Sequence, residues 1–331
     1  MEQINPYIKQ FPELFKCKKV MYVHGFASSG QSGTVRRIRE VLPNAEVIAP
    51  DLPIRPEEAM ALLRDTCSRE KPDLIIGTSM GGMYAEMLYG YDRILVNPAL
   101  QMGDTMKDHG MIGAQHFQNP RQDGVQDFMV TKALVKEYKE MTEQCFAGIN
   151  DEERQRVWGL FGDEDTTVNT YDLFREHYPK AIRFHGEHRM NDQSFMHSVV
   201  PVIRWIDDRQ EGRERPIIYI NVATLFDKWQ KPMSSAQKTI RMLLETYQLF
   251  FVAPAPVEIE QYAWTLKLLY DYINVPAYGH TIFTNQKHLL YGDYLIDTEK
   301  TDGMATLIRF GSDTFKTWDD IAVYFERLGG Q

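Results

Sequence analysis

Short apolar runs that alternate with helical patterns, once over residues 18–206 and again over 217–328, constrain this chain more than any other feature. The first series opens with KKVMYVHG (18–25) and a charged helical pattern over 34–42. A strand over 46–49 follows, then a helix over 56–70 that begins with proline and acids. Leu74–Ile76 is a continuous apolar strand, 80–89 a helix, and 93–96 a strand before Asn97-Pro98. Strands that are apolar throughout, rather than at every second residue, must be covered on both faces. The expected class is therefore α/β, with a mainly parallel sheet between helices.

Residues 99–155 break that rhythm. They are polar and methionine-rich, with a helical stretch over 130–146 and no clear strand. An insertion over about 101–155 reads as a lid or a pocket wall. Strand and helix resume over 157–161, 168–178, 181–185 and 194–206. The segment 207–216, DDRQEGRERP, has no apolar residue and is the expected linker. The expected domains are thus 1–211 and 212–331. The second begins at IIYINVA and ends in a helix over 318–328.

Composition narrows the partners. A formal net charge of -9 leaves no basic stripe for nucleic acid. The short basic run Arg36-Arg37-x-Arg39 reads as a solvated helix face. Cys17, Cys67 and Cys145 are far apart without metal-ligand spacing, which suggests a reducing, cytoplasmic setting. No apolar run reaches the length of a membrane span, and residues 1–16 alternate polar and apolar types without a signal-peptide core. Neither a metal nor an organic cofactor is expected, and a homo-oligomer is left open.

The chemistry centres on DLIIGTSMGGMYA (73–85), where Gly77-x-Ser79-x-Gly81 joins a strand to a helix as a nucleophile elbow does. A serine hydroxyl is a poor nucleophile at neutral pH, so it needs a base in reach and a group to orient that base. In α/β-hydrolases these follow in the order serine, acid, histidine. VWGLFGDEDTTV (157–168) offers Asp165 just past a strand, with Asp163 as rival. HGEHRMND (185–192) offers His188, with rivals in His185 and in His197 on the next helix. The oxyanion hole would use the backbone N–H groups of Met80 and Phe26. His24 reads as a structural residue of that loop. The methionines 102, 106, 111, 129 and 141 either line an acyl pocket or simply pack.

YVHGFASSGQSGTV, APDLP, IIGTSMGGMYAEML, VNPAL and GEHRMND, in that order, resemble the YqiA/YcfP-type esterases over about residues 18–207. That resemblance implies an α/β-hydrolase acting on a small acyl ester or thioester. The family's serine, acid and histidine match Ser79, Asp165 and His188. The insertion is only loosely like the family.

The second series resembles haloacid dehalogenase-like phosphatases of the deoxynucleotidase type, through IYINVATLFDK, TNQKHLLYGDYLIDTEKTDG and FKTWDDIAVYFERL. Such enzymes read D-x-D-G-T-L at the first strand and hold Mg²⁺ with carboxylates. Aligning T-L-F-D without gaps puts Ile220 at the nucleophile and Val222 at the general acid; sliding by one gives Asn221. Val252-Ala253-Pro254-Ala255 lacks the phosphate-binding hydroxyl, while Lys287 and Asp297 match the lysine and the metal carboxylate. The domain is expected to be non-catalytic. Two other classes stay open: a scaffold with both domains degenerate, and a nucleotide-binding or phosphatase role of the second domain.

Overall fold

A computed structural model describes residues 7–329, so the pattern read over residues 1–16 lies in part outside the described residues. The chain divides into two compact units, up to Asp207 and from Asp208 on. The first contains β1 (Lys19–Val23), α1 (Gly33–Val41), β2 (Glu46–Ile48), α2 (Pro56–Glu70), β3 (Leu74–Thr78), α3 (Met80–Glu86) and β4 (Arg93–Val96). Then come α4 (Met102–Asp108), β5 (Gly113–His116), β6 (Asp127–Val130), α5 (Lys132–Thr142) and α6 (Asp151–Arg156). The unit continues with β7 (Val157–Gly162), α7 (Tyr171–His177), β8 (Ala181–Phe184), a short α8 (Asp192–Ser194) and, up to Asp207, the first part of α9 (Val200–Glu211), with one π-helical stretch between the last two.

Six strands form one sheet in the order β2-β1-β3-β4-β7-β8, every neighbouring pair parallel. This is the α/β-hydrolase fold. The order reverses at β1, whose neighbours β2 and β3 run away on either side. The loops after β1 and β3 therefore face one crevice at the strands' carboxyl ends, where such sheets bind ligands. β3 and β4 are buried on both faces, which is why they read as unbroken apolar runs. α2 shows the complementary helical logic. Pro56 and two acids occupy its first turn, Ala59, Met60, Leu63 and Cys67 bury one stripe, and Lys71 ends it with a φ of 50°.

The insertion holds more structure than expected. β5 and β6 pair antiparallel as a hairpin, where the sequence showed no clear strand. Only Phe128 and Val130 are buried on β6, and β5 exposes every second residue, so the alternation is too short and too polar to read as a strand. The buried Arg93 guanidinium pairs with Glu153 of α6, and Glu86 accepts hydrogen bonds from Phe146 N–H (3.0 Å) and the Tyr178 hydroxyl (2.6 Å). The far end of the insertion is thereby fixed to α3 and β4.

The second unit contains β9 (Ile217–Asn221), α10 (Ala236–Leu243), β10 (Gln248–Ala253), α11 (Ile259–Tyr272), β11 (Thr281–Phe283), β12 (Tyr294–Asp297), β13 (Thr306–Arg309) and α12 (Trp318–Gly329). Its five strands are all parallel, in the order β11-β10-β9-β12-β13. The first half of the expected linker is helical, because α9 runs on to Glu211 and stops at Gly212, whose φ is 59°.

Candidate active site

Ser79 stands between β3 and α3 with φ 54° and ψ -121°, a conformation that a non-glycine residue adopts only under constraint. The constraint is visible around it. Ser79 N–H donates to the Val96 carbonyl (3.0 Å), and the Ser79 carbonyl accepts from Ala99 N–H (3.0 Å) and Gly82 N–H (2.9 Å). The two flanking glycines are required by space. A Cβ at position 81 would stand 2.0 Å from the Val23 carbonyl oxygen, and one at 77 would stand 2.4 Å from that of Gly81. The sharp turn lifts the Ser79 side chain out of the sheet at its carboxyl edge.

His188 Nε2 lies 3.0 Å from Ser79 Oγ, and His188 Nδ1 lies 2.8 Å from Asp165 Oδ2. The other Asp165 oxygen accepts from Thr167 N–H (2.7 Å) and Val168 N–H (3.0 Å). Burial would raise the Asp165 pKa, yet the bonds from His188, Val168 and Thr167 outweigh it and hold the carboxyl below the usual range. An ionised carboxylate only accepts, so Nδ1 must carry the imidazole hydrogen. In the neutral imidazole Nε2 is then left with a lone pair facing the serine hydroxyl. That arrangement can remove a proton from Ser79 without any further group.

The rival residues form a second pair. His185 Nδ1 lies 2.7 Å from Asp163 Oδ2, and Asp163 Oδ1 accepts from Gly186 N–H (3.1 Å). The same two loops thus carry two Asp–His pairs, and only His188 meets Ser79. His197 sits in the π-helical stretch of Phe195–Val199.

The loop after β1 lies against the elbow: a Cβ at position 25 would be 3.4 Å from Ser79 Cβ. His24 pins this loop. Leu52 N–H donates to its Nε2 (3.0 Å), so its Nδ1 carries the hydrogen and donates to the Gly25 carbonyl (2.8 Å). Burial pushes its pKa down to about 4. Asp51 accepts from Gly30 N–H and from Gln122 N–H, each at 2.7 Å, tying the same loop to the hairpin. Gln118 N–H donates to the Ala27 carbonyl (2.8 Å), and the Phe26 ring meets Phe128 edge-on at 5.4 Å. Next to the elbow, the Met80 sulfur lies 3.3 Å from the Tyr138 hydroxyl of α5. The insertion is therefore a wall beside Phe26 and Met80. Sequence reasoning missed Asp51 and Tyr138, whose partners are far off along the chain. Met102, Met106 and Met141 pack into the hydrophobic core, whereas Met129 is exposed on the hairpin.

In the second unit Ile220 and Val222 belong to the hydrophobic core, and it is Asn221 that meets Asp297, its Nδ2 donating at 2.8 Å. Asn221 is the residue that the one-residue slide puts at the nucleophile position, at the carboxyl end of β9. Lys287 Nζ lies 2.6 Å from the other Asp297 oxygen, and Asp297 is fully buried. Among the described residues no three His, Cys, Asp or Glu side chains converge as a metal site would require. No helix among them is long and apolar enough to cross a membrane.

Residues 19–205 match the model of the Uncharacterised protein family (UPF0227), the YqiA-type esterases. The chain belongs to that family. A protein of Vibrio phage KVP40, provisionally named a 5'(3')-deoxyribonucleotidase, is 29% identical over 128 residues, 36% of this chain and 70% of the phage protein. Its similarity lies in the C-terminal part. Among solved structures, tomato methylketone synthase I complexed with beta-ketoheptanoate is 10% identical with a TM-score of 0.39, covering 60% of this chain and 99% of that one. A marine microorganism esterase is 14% identical with a TM-score of 0.36, covering 57% and 94%.

Proposed function

We propose that this UPF0227 member is a serine hydrolase that cleaves carboxylic esters or thioesters through an acyl-enzyme. Ser79 attacks the acyl carbonyl while His188 takes its proton, and Asp165 keeps the imidazole oriented and stabilises the cation. The Phe26 and Met80 N–H groups receive the developing oxyanion. His188 then returns the proton to the leaving alcohol or thiol. Water, activated by the same imidazole, releases the acid. The observation that carries this reading is the unbroken chain from Ser79 Oγ through His188 to Asp165, at 3.0 and 2.8 Å, on an elbow with positive φ.

The test is a panel of short-chain p-nitrophenyl esters and acyl-CoA thioesters, with wild type and Ser79→Ala. Turnover that drops at least about 10⁴-fold in the variant supports the reading. Equal turnover by both overturns it.

The second unit reads as a non-catalytic haloacid dehalogenase-like domain. Asn221 stands where phosphoryl transfer needs a carboxylate nucleophile, and Lys287 already neutralises Asp297. Full-length protein with millimolar Mg²⁺ is expected to leave p-nitrophenyl phosphate unhydrolysed. Mg²⁺-dependent release of phosphate would overturn this half of the proposal.

A further inference from the structure

We infer that Asn97 is a positioning residue for the hydrolytic site, an inference that rests on the Ser79–His188–Asp165 reading. Asn97 follows β4 with a φ of 45° and is buried, 2% exposed. Asparagine is among the few non-glycine residues that tolerate that backbone region. Its N–H donates to the Leu160 carbonyl (2.8 Å), which places the side chain between the ends of β7 and β8. There Oδ1 accepts from Gly162 N–H (2.7 Å), at the start of the loop that carries Asp165. Nδ2 donates to the carbonyls of Glu187 and His188, each at 3.1 Å.

A neutral amide has two donor hydrogens and a carbonyl acceptor, and here both kinds are engaged. The next two residues extend the same contact. The Pro98 carbonyl accepts from the Thr170 hydroxyl (2.6 Å), and Ala99 N–H donates to the Ser79 carbonyl (3.0 Å). Residues 97–99 thus touch the nucleophile's elbow, the acid's loop and the histidine's own backbone. The acid and histidine loops are also bound directly, through Asp163 N–H to Phe184 O and Glu164 N–H to Gly186 O, both 3.0 Å. Those bonds keep the two loops folded together without Asn97. What the amide adds is the setting of the His188 carbonyl, and so of the imidazole, against Ser79 and Asp165. Asn97 touches no reacting atom. Its effect runs through the aim of His188, where a shift of about 1 Å can cost about 10²-fold in rate.

The experiment compares Asn97→Asp, Asn97→Gly, Ser79→Ala and wild type on p-nitrophenyl butyrate, with rates normalised to sites titrated to completion by a fluorophosphonate, however slowly they react. Asn97→Asp keeps the shape and an acceptor for Gly162 but removes both donors. Asn97→Gly accepts the positive φ and deletes the amide, and it carries the test if the aspartate variant does not fold. The expected result is a kcat per titrated site lower by about 10–100-fold with KM little changed. A purely structural role would reduce the number of titratable sites and leave kcat per site at the wild-type value, and that result overturns the inference. Turnover retained by Ser79→Ala would remove the triad reading and this inference together. An inactive Ser79→Ala beside fully active Asn97 variants overturns this inference alone.

Discussion

The chain contains two parallel α/β sheets whose central strands each end in a polar cluster, and the two clusters have opposite characters. At the end of β3 a hydroxyl, an imidazole and a carboxylate form a directed chain that ends on a reactive atom. At the end of β9 an amide, a carboxylate and an ammonium satisfy one another, and no nucleophile is left over. Both clusters are hydrogen-bonded and placed at strand ends, so position does not separate them, although Ser79, Asp165 and His188 are half-buried where Asn221 and Asp297 are buried. What separates them is whether one group is held with its reactive lone pair unspent. The fold provides the location, and the residue types decide the chemistry.

The sharpest way to break this comparison is the orienting acid. Asp165→Asn would let the amide hydrogen-bond either imidazole tautomer and remove the fixed lone pair at Nε2. A kcat loss of about 10⁴-fold is expected. Asp163→Asn, in the neighbouring pair with His185, should stay within a few-fold of wild type. Equal losses in both would mean that the two Asp–His pairs act as one unit.

In the second unit the corresponding change affects stability rather than rate. Lys287→Met leaves the buried Asp297 with only Asn221 and the Glu299 N–H as partners. Denaturant unfolding followed by hydrogen exchange over residues 208–329 should show a loss of about 3–4 kcal/mol, with ester turnover unchanged. A loss of turnover instead would place Lys287 in the hydrolytic machinery.

The smallest effect concerns pH. His24 is neutral in the fold because burial lowers its pKa to about 4, against 6.5 in the unfolded chain. Between those values the unfolded state binds the extra proton. Stability is therefore full above pH 6.5, falls as pH drops towards 4, and levels off below it. The total change from this group is at most about 3 kcal/mol. His24→Gln should remove that part of the slope, and an unaltered slope would assign it elsewhere.

Much of the fold was legible in the sequence for a physical reason. Strands buried on both faces read as continuous apolar runs, and α2 carries its start signal in Pro56 and its acids. The β5–β6 hairpin was not legible, because its pairing links residues 11 to 17 apart, Gly113 with Val130 and His116 with Asp127. The end of α9 had a signal that the charged composition masked: Gly212 marks the stop, and charged residues are sound helix formers. The order of Ser79, Asp165 and His188 along the chain was readable. Which aspartate faces which histidine was not, since Asp163 and Asp165 share one loop and only side-chain distances separate them. Asn97 was readable only as the end of a strand near the pocket floor, because all its side-chain partners lie 65 or more residues away.

The central claim is that Ser79 is the activated nucleophile of the first unit. Its most direct test is reaction of folded full-length protein with a fluorophosphonate, read by intact mass, peptide mapping and residual ester turnover. One adduct on the Ser79 peptide, with activity lost in proportion and no adduct in His188→Ala on the same timescale, is the expected result. No adduct on Ser79, or full turnover after complete modification, would contradict it.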